Sequence, residues 1–114
     1  MLYTNLTHVE NNAQYTELLA EGKKAAIVCG RMGPMCLPVY AIMESLEDKY
    51  KDVSFRDMDF DAPVARETIR TLPEVARFYS LPFTVYLRDG KVVAATGGIQ
   101  TKAQVKAILD DKLA

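Results

Sequence analysis

Hydrophobic spacing changes period along the chain, and each change marks an element. Leu2-Tyr3-Thr4 predicts a short first strand. Tyr15, Leu18 and Leu19 then recur at helical spacing, with Asn11 or Asn12 as N-cap and Gly22 as the stop. Ala25-Ala26-Ile27-Val28-Cys29 is apolar without alternation, as in a strand buried on both faces. Val39, Ile42, Met43, Leu46 and Tyr50 share one helical face, with Glu44, Glu47 and Asp48 on the other. From Val53 to Asp59 the pattern alternates: Val53, Phe55 and Asp57 face one way, Ser54, Arg56 and Met58 the other.

Asp61 followed by Pro63 predicts an N-cap and a first-turn proline for a helix carrying Val64 and Ile69. Pro73 breaks or kinks it before a second piece through Val75, Ala76 and Tyr79. Phe83–Leu87 and Lys91–Ala95 flank Asp89-Gly90, a strong short-range hairpin signal. The last helix opens on a capping box, Thr101 with Gln104, and buries Val105, Ile108, Leu109 and Leu113. The order β-α-β-α-β-α-β-β-α predicts an α/β fold, a central mixed sheet flanked by helices on both faces.

At 114 residues and 49% hydrophobic content, the chain is expected to form one domain, 1–114, around a real core. Its 14 Lys+Arg against 15 Asp+Glu lack the basic surplus that nucleic acid or an anionic membrane would call for. No run approaches the roughly 18 apolar residues of a spanning helix. Met1-Leu2-Tyr3-Thr4-Asn5 has neither the basic nor the apolar region of a signal peptide, so a cytoplasmic monomer is expected. Two cysteines are too few for a disulfide framework. Placed this close in a cytosolic chain, they suggest redox or metal chemistry.

Both lie in Cys29-Gly30-Arg31-Met32-Gly33-Pro34-Met35-Cys36, directly after an apolar run and before an amphipathic one. A thiol, a Gly-Pro turn and a helix start are the parts of a disulfide-exchange site, although the usual Cys-x-x-Cys spacing is missing. The element order, with Leu81-Pro82-Phe83-Thr84-Val85-Tyr86-Leu87-Arg88-Asp89-Gly90-Lys91-Val92-Val93, then Gly97-Gly98 and a helix ending in Leu113-Ala114, resembles the thioredoxin family. Thr7 to Tyr50 follows the same order, so the likeness covers nearly the whole chain apart from a longer stretch between Asp61 and Pro82. It implies a thioredoxin-like fold in which Pro82 is cis beside the active loop. It also implies that the backbone of Leu81 pairs with a substrate chain, with Leu81, Pro82, Phe83 and Gly98 forming the partner groove.

The thiols depart from the family pattern, and two registers are open. If Gly33-Pro34 is the family's Gly-Pro, Met32 and Met35 replace both active cysteines and Cys36 lies one residue beyond. If the flanking strand and helix are matched without a gap, Cys36 is the family's second cysteine and Gly33 stands in place of the nucleophile. Cys29 then replaces an aromatic residue and Ile27 a buried acid. The second register fits the pattern from Val39 to Tyr50 better.

In that register strand alternation puts Ile27 and Cys29 on one face, turned toward the first turn of the next helix and Cys36. A Cys29–Cys36 disulfide is then feasible, requiring Cα atoms within about 7 Å. Free N–H groups at a helix start and the charge of Arg31 favour a thiolate at Cys36. Pro38 pushes the start of the regular helix toward itself, leaving Cys36 just before it. Cys29, in a buried strand, is expected to be the less acidic thiol.

The expectation is thiol–disulfide exchange, with Cys36 reacting and Cys29 resolving, slowly because Ile27 offers no base. Partners would be protein disulfides and a thioredoxin-reductase-like donor, with no cofactor. The alternative is a redox-inactive binding module using the apolar rim of Met32, Met35, Leu81 and Phe83. A third reading gathers Met32, Met35, Cys29 and Cys36 as soft ligands for Cu(I). Asp57, Asp59 and Asp61 read as a solvated strand end and a helix cap, and His8 as exposed. No Ser-His-Asp set, phosphate loop or paired-carboxylate site is apparent.

Overall fold

A computed structural model describes residues 2–20 and 24–114, which leaves the expected helix stop at Gly22 outside the described residues. Among the described residues the sheet has five strands, in the order β1-β3-β2-β4-β5. They are β1 (Thr7–His8), β2 (Lys24–Gly30), β3 (Val53–Asp59), β4 (Phe83–Arg88) and β5 (Lys91–Gly97). β1, β3 and β2 run parallel, whereas β4 is antiparallel to both β2 and β5, so the sheet is mixed as expected. The unbroken apolar run of β2 has its reason here. It is the central strand, buried on both faces from Ala25 to Gly30.

Each face carries two helices. α2 (Leu37–Leu46) and α4 (Lys102–Lys112) bury Val39, Tyr40, Met43, Leu46, Val105 and Leu109 against Ala26, Val28, Phe55 and Tyr86. α1 (Asn12–Ala20) and α3 (Pro63–Glu67) bury Tyr15, Leu18, Val64 and Ala65 against Ala25, Ile27, Cys29, Met58 and Val85. Among the described residues no helix is long and apolar enough to cross a membrane.

The first strand falls later than its sequence signal. Leu2 instead plugs the core at 5% exposure, Tyr3 points outward, and Thr4 turns its hydroxyl to Asp57. Thr7 and His8 make the strand, opposite Arg56 and Asp57. Asn11 caps α1, its Oδ1 accepting the Gln14 N–H at 2.9 Å. At α3 the expected cap fails. Ala62 occupies the N-cap, one residue later than expected, and the Asp61 carboxylate is taken by Arg31. That helix stops at Glu67, well before Pro73, and two single 3-10 turns follow at Ile69–Thr71 and Pro73–Val75. The second piece does not reach Tyr79, which is 98% exposed.

The hairpin forms as its sequence demands, with Asp89 and Gly90 both at positive φ, 53° and 77°. The capping box also forms: Thr101 Oγ1 accepts the Gln104 N–H at 3.1 Å, and Gln104 Oε1 accepts the Thr101 N–H at 2.8 Å. At the end of β5, a Cβ on Gly97 would lie 2.8 Å from Phe78 Cδ1 and 3.0 Å from Cγ. A ring cannot yield as a flexible side-chain tip would. Gly97→Ala should therefore cost about 1–3 kcal/mol by overpacking, read as a lower midpoint in urea unfolding.

Candidate functional site

The site forms where β2 ends. Five residues, Arg31 to Met35, separate β2 from Cys36, which occupies the N-cap of α2. The turn closes because the Gly33 carbonyl accepts the N–H groups of both Cys36 and Leu37, each at 3.1 Å. Pro38 falls in the first turn, where a missing N–H removes no helical bond, so the helix starts at Leu37, one residue earlier than Pro38 suggested. The Cys36 sulfur accepts the Arg31 N–H at 3.4 Å, and the Tyr40 hydroxyl donates to the Arg31 carbonyl at 3.0 Å. Burial pushes the Tyr40 phenol far up, so it stays protonated as that donor.

The Leu81–Pro82 bond is cis, as the resemblance implied. Gly30 joins it to the loop. A Cβ there would sit 2.8 Å from Cys36 Sγ, 2.8 Å from Tyr40 Oη and 3.2 Å from Pro82 Cβ. Beyond Pro82 its carbonyl accepts the Gly98 N–H at 2.7 Å, and Gly98 holds φ at 83°, a conformation that favours glycine. Leu81 is half-buried, and among the described residues its own N–H and C=O take no backbone partner. Phe83 is buried as the first residue of β4. Met32, Met35 and Leu37 form an apolar rim at 37%, 52% and 43% exposure.

The two cysteines do not meet. Ala26 and Val28 face α2 and α4, on the side where Cys36 packs, whereas Ile27 and Cys29 face α1 and α3. The expectation that Cys29 and Cys36 share a face is corrected by this pleat. Both thiols are free, Cys29 at 0% exposure and Cys36 at 3%. Burial pushes the Cys29 thiol far above its ordinary range, and the nearby Arg70 charge offsets only part of that. The sheet therefore separates Cys29 from Cys36, two of the four sulfurs in the Cu(I) reading. Among the described residues no group of three His, Cys, Asp or Glu side chains is placed to hold a metal.

Arg31 supplies its backbone N–H to the sulfur, but its guanidinium is engaged elsewhere. Nε and Nη2 bind Asp61 at 2.7 and 2.9 Å, which holds the Asp61 carboxyl below its usual range. Asp57 and His8 were also read wrongly from the sequence, since His8 is half-buried against Asp57 and not exposed. Asp57 is not at a solvated strand end. It is completely buried, with His8 Nδ1 at 2.5 Å and the Thr4 hydroxyl on its other oxygen. Burial pushes its carboxyl up, and the two hydrogen bonds pull it back. The usable signal was its place on the same strand face as Val53 and Phe55.

No protein-family model and no curated protein matches the chain. Solved structures do. Mitochondrial thioredoxin 3 from Saccharomyces cerevisiae, in its oxidised form, is similar at 25% identity and a TM-score of 0.72, over 92% of this chain and 94% of that one. Thioredoxin from Malassezia sympodialis is similar at 16% identity and 0.77, over 100% and 96%. A chain from a study of thiol resolution in yeast mitochondrial 1-Cys peroxiredoxin via glutathione/thioredoxin systems is similar at 23% and 0.75, over 96% and 99%. The fold is that of thioredoxin.

Because Cys29 is buried and its thiol is pushed so high, iodoacetamide at mildly alkaline pH should leave it unmodified in the native chain and label it only after unfolding. Mass spectrometry of native and denatured samples reads this directly. Gly30→Ala should dislodge Cys36, Tyr40 and Pro82 together, a loss of about 1–3 kcal/mol in urea unfolding.

Proposed function

We propose that this thioredoxin-fold chain carries out thiol–disulfide exchange with partner proteins through one reactive thiol, Cys36. The observation that carries the reading is the setting of that sulfur. It stands at the N-cap of α2, accepts the Arg31 N–H, and is separated from the cis Leu81–Pro82 turn only by the missing side chain of Gly30. The free backbone groups of Leu81 pair with an extended partner segment, while Pro82, Phe83 and Gly98 shape the groove and Met32 and Met35 supply its apolar rim.

The Cys36 thiolate attacks one sulfur of a partner disulfide. A Cys36–partner mixed disulfide forms, and the second partner sulfur leaves as thiolate. A further thiolate then attacks the partner's sulfur in the mixed disulfide. Cys36 leaves reduced, and the partner is bonded to the incoming thiol. The sequence assigns this second step to Cys29. Its burial on the opposite face of β2 supports an external thiol instead, from a small molecule or a reductase. Access to Cys36 requires the loop from Arg31 to Met35 to lift, and Gly33, with nothing within 4 Å of where its Cβ would stand, leaves room for that. A reducing compartment such as the cytoplasm fits two free thiols.

The second reading is a redox-inactive module that binds proteins through the same rim and groove. It is favoured by the contrast between a nearly hidden Cys36 and exposed Met32, Met35 and Leu37. Graded glutathione redox buffers followed by mass spectrometry separate the two. Exchange predicts one glutathione per chain, mapped to Cys36, absent in Cys36→Ser and retained in Cys29→Ser, with no loss of two protons to an internal disulfide. Should Cys36 stay free while the fold is intact, the binding module takes its place.

A further inference from the structure

Next to Leu81 lies a cavity of about 320 Å³ that the exchange step does not use. Its walls include Phe60, Phe78, Leu81 and Phe83, together with the side chains of Arg31 and Arg70. The two arginines differ in one respect. Arg31 is neutralised by its two bonds to Asp61, whereas Arg70 has no carboxylate within ion-pair distance among the described residues. Arg70 is nonetheless held in place. Its guanidinium carbon lies 4.0 Å from the centroid of the Phe60 ring, and Nη1 donates to the Phe60 carbonyl at 3.3 Å. Stacking of this kind fixes the plane of the cation and leaves the rest of its N–H fork unclaimed.

The surroundings favour an anion. Asp61 lies in the field of Arg31, Arg66 and Arg70, and Asp59 acts with Arg70 on the buried Cys29 thiol. Arg77, over Phe78, adds a fourth cation nearby. A fixed guanidinium above an aromatic wall, open on one side and adjoining a free backbone pairing position, is suited to a carboxylate carried on a peptide.

We propose that this cavity is a specificity pocket for an acidic side chain, Glu or Asp, on the partner segment docked at Leu81, with Arg70 as the residue that reads it. The inference rests on the exchange reading for its location and adds the class of partner: disulfides flanked by acidic residues. Arg70 acts by binding the substrate, not on the sulfur.

The test uses short peptides joined through their single cysteine to thionitrobenzoate, with one Glu or Gln moved through the flanking positions. Attack by Cys36 on the peptide sulfur releases thionitrobenzoate, whose absorbance gives the rate. At the best position the Glu peptide should react about fivefold faster than its Gln twin, consistent with one partly exposed ion pair. High salt should abolish the ratio, Arg70→Gln should bring it to one, and Arg70→Lys should keep part of it. The ratio is measured within each variant, so a loss of folded protein cannot mimic the effect. Equal rates for Glu and Gln peptides at every position would overturn the pocket while leaving exchange intact. If no peptide reacts, the exchange reading fails. Equilibrium binding of the same peptides with Ser for Cys then decides the pocket alone: a Glu preference dependent on Arg70 supports it, and its absence overturns it.

Discussion

The site depends on a missing side chain. At Gly30 the central strand ends against a sulfur, a phenol oxygen and a proline ring, each close enough that one added methyl would displace it. These three groups come from α2 and from the turn before β4, elements brought together only because β2 pairs with β3 on one side and β4 on the other. Packing at this density does not flex to admit an atom. The glycine therefore transmits the geometry of the sheet to the loop, and the position of Cys36 relative to Pro82 follows from the ladder.

A consequence of the same strand is the separation of the two thiols. Alternation along β2 cannot be negotiated residue by residue, since a shift of one position would turn every apolar side chain to the other face. Cys29 is locked among Ile27, Met58 and Phe83 by the register that also places Ala26 and Val28 under α2 and α4. Cys29 behaves as a small core residue whose thiol burial keeps it protonated. Cys36, seven residues on, has left the strand and belongs to a helix start.

Sequence reading was sound where a local rule acts alone. The positive φ pair at Asp89-Gly90, the Thr101 box and the unbroken apolar run of β2 are all determined within a few residues. It failed where a distant partner competes. Asp61 has the chemistry of a cap, but Arg31, thirty positions away, claims its carboxylate. Asp57 reads as solvated until the pairing of β1 with β3 brings His8 beside it. The shared face of the cysteines failed for a similar reason. Which side of the sheet α2 returns to is set by its crossover and core, not by the spacing of two thiols.

The open volume at Gly33 sets that position apart from Gly30, three residues before it. Nothing packs against that position, and its backbone does not require glycine, so a side chain there neither supports the fold nor is excluded by it. Stability is thus uncoupled from the identity of this residue. The loop can vary at this position while sheet, caps and groove stay as they are.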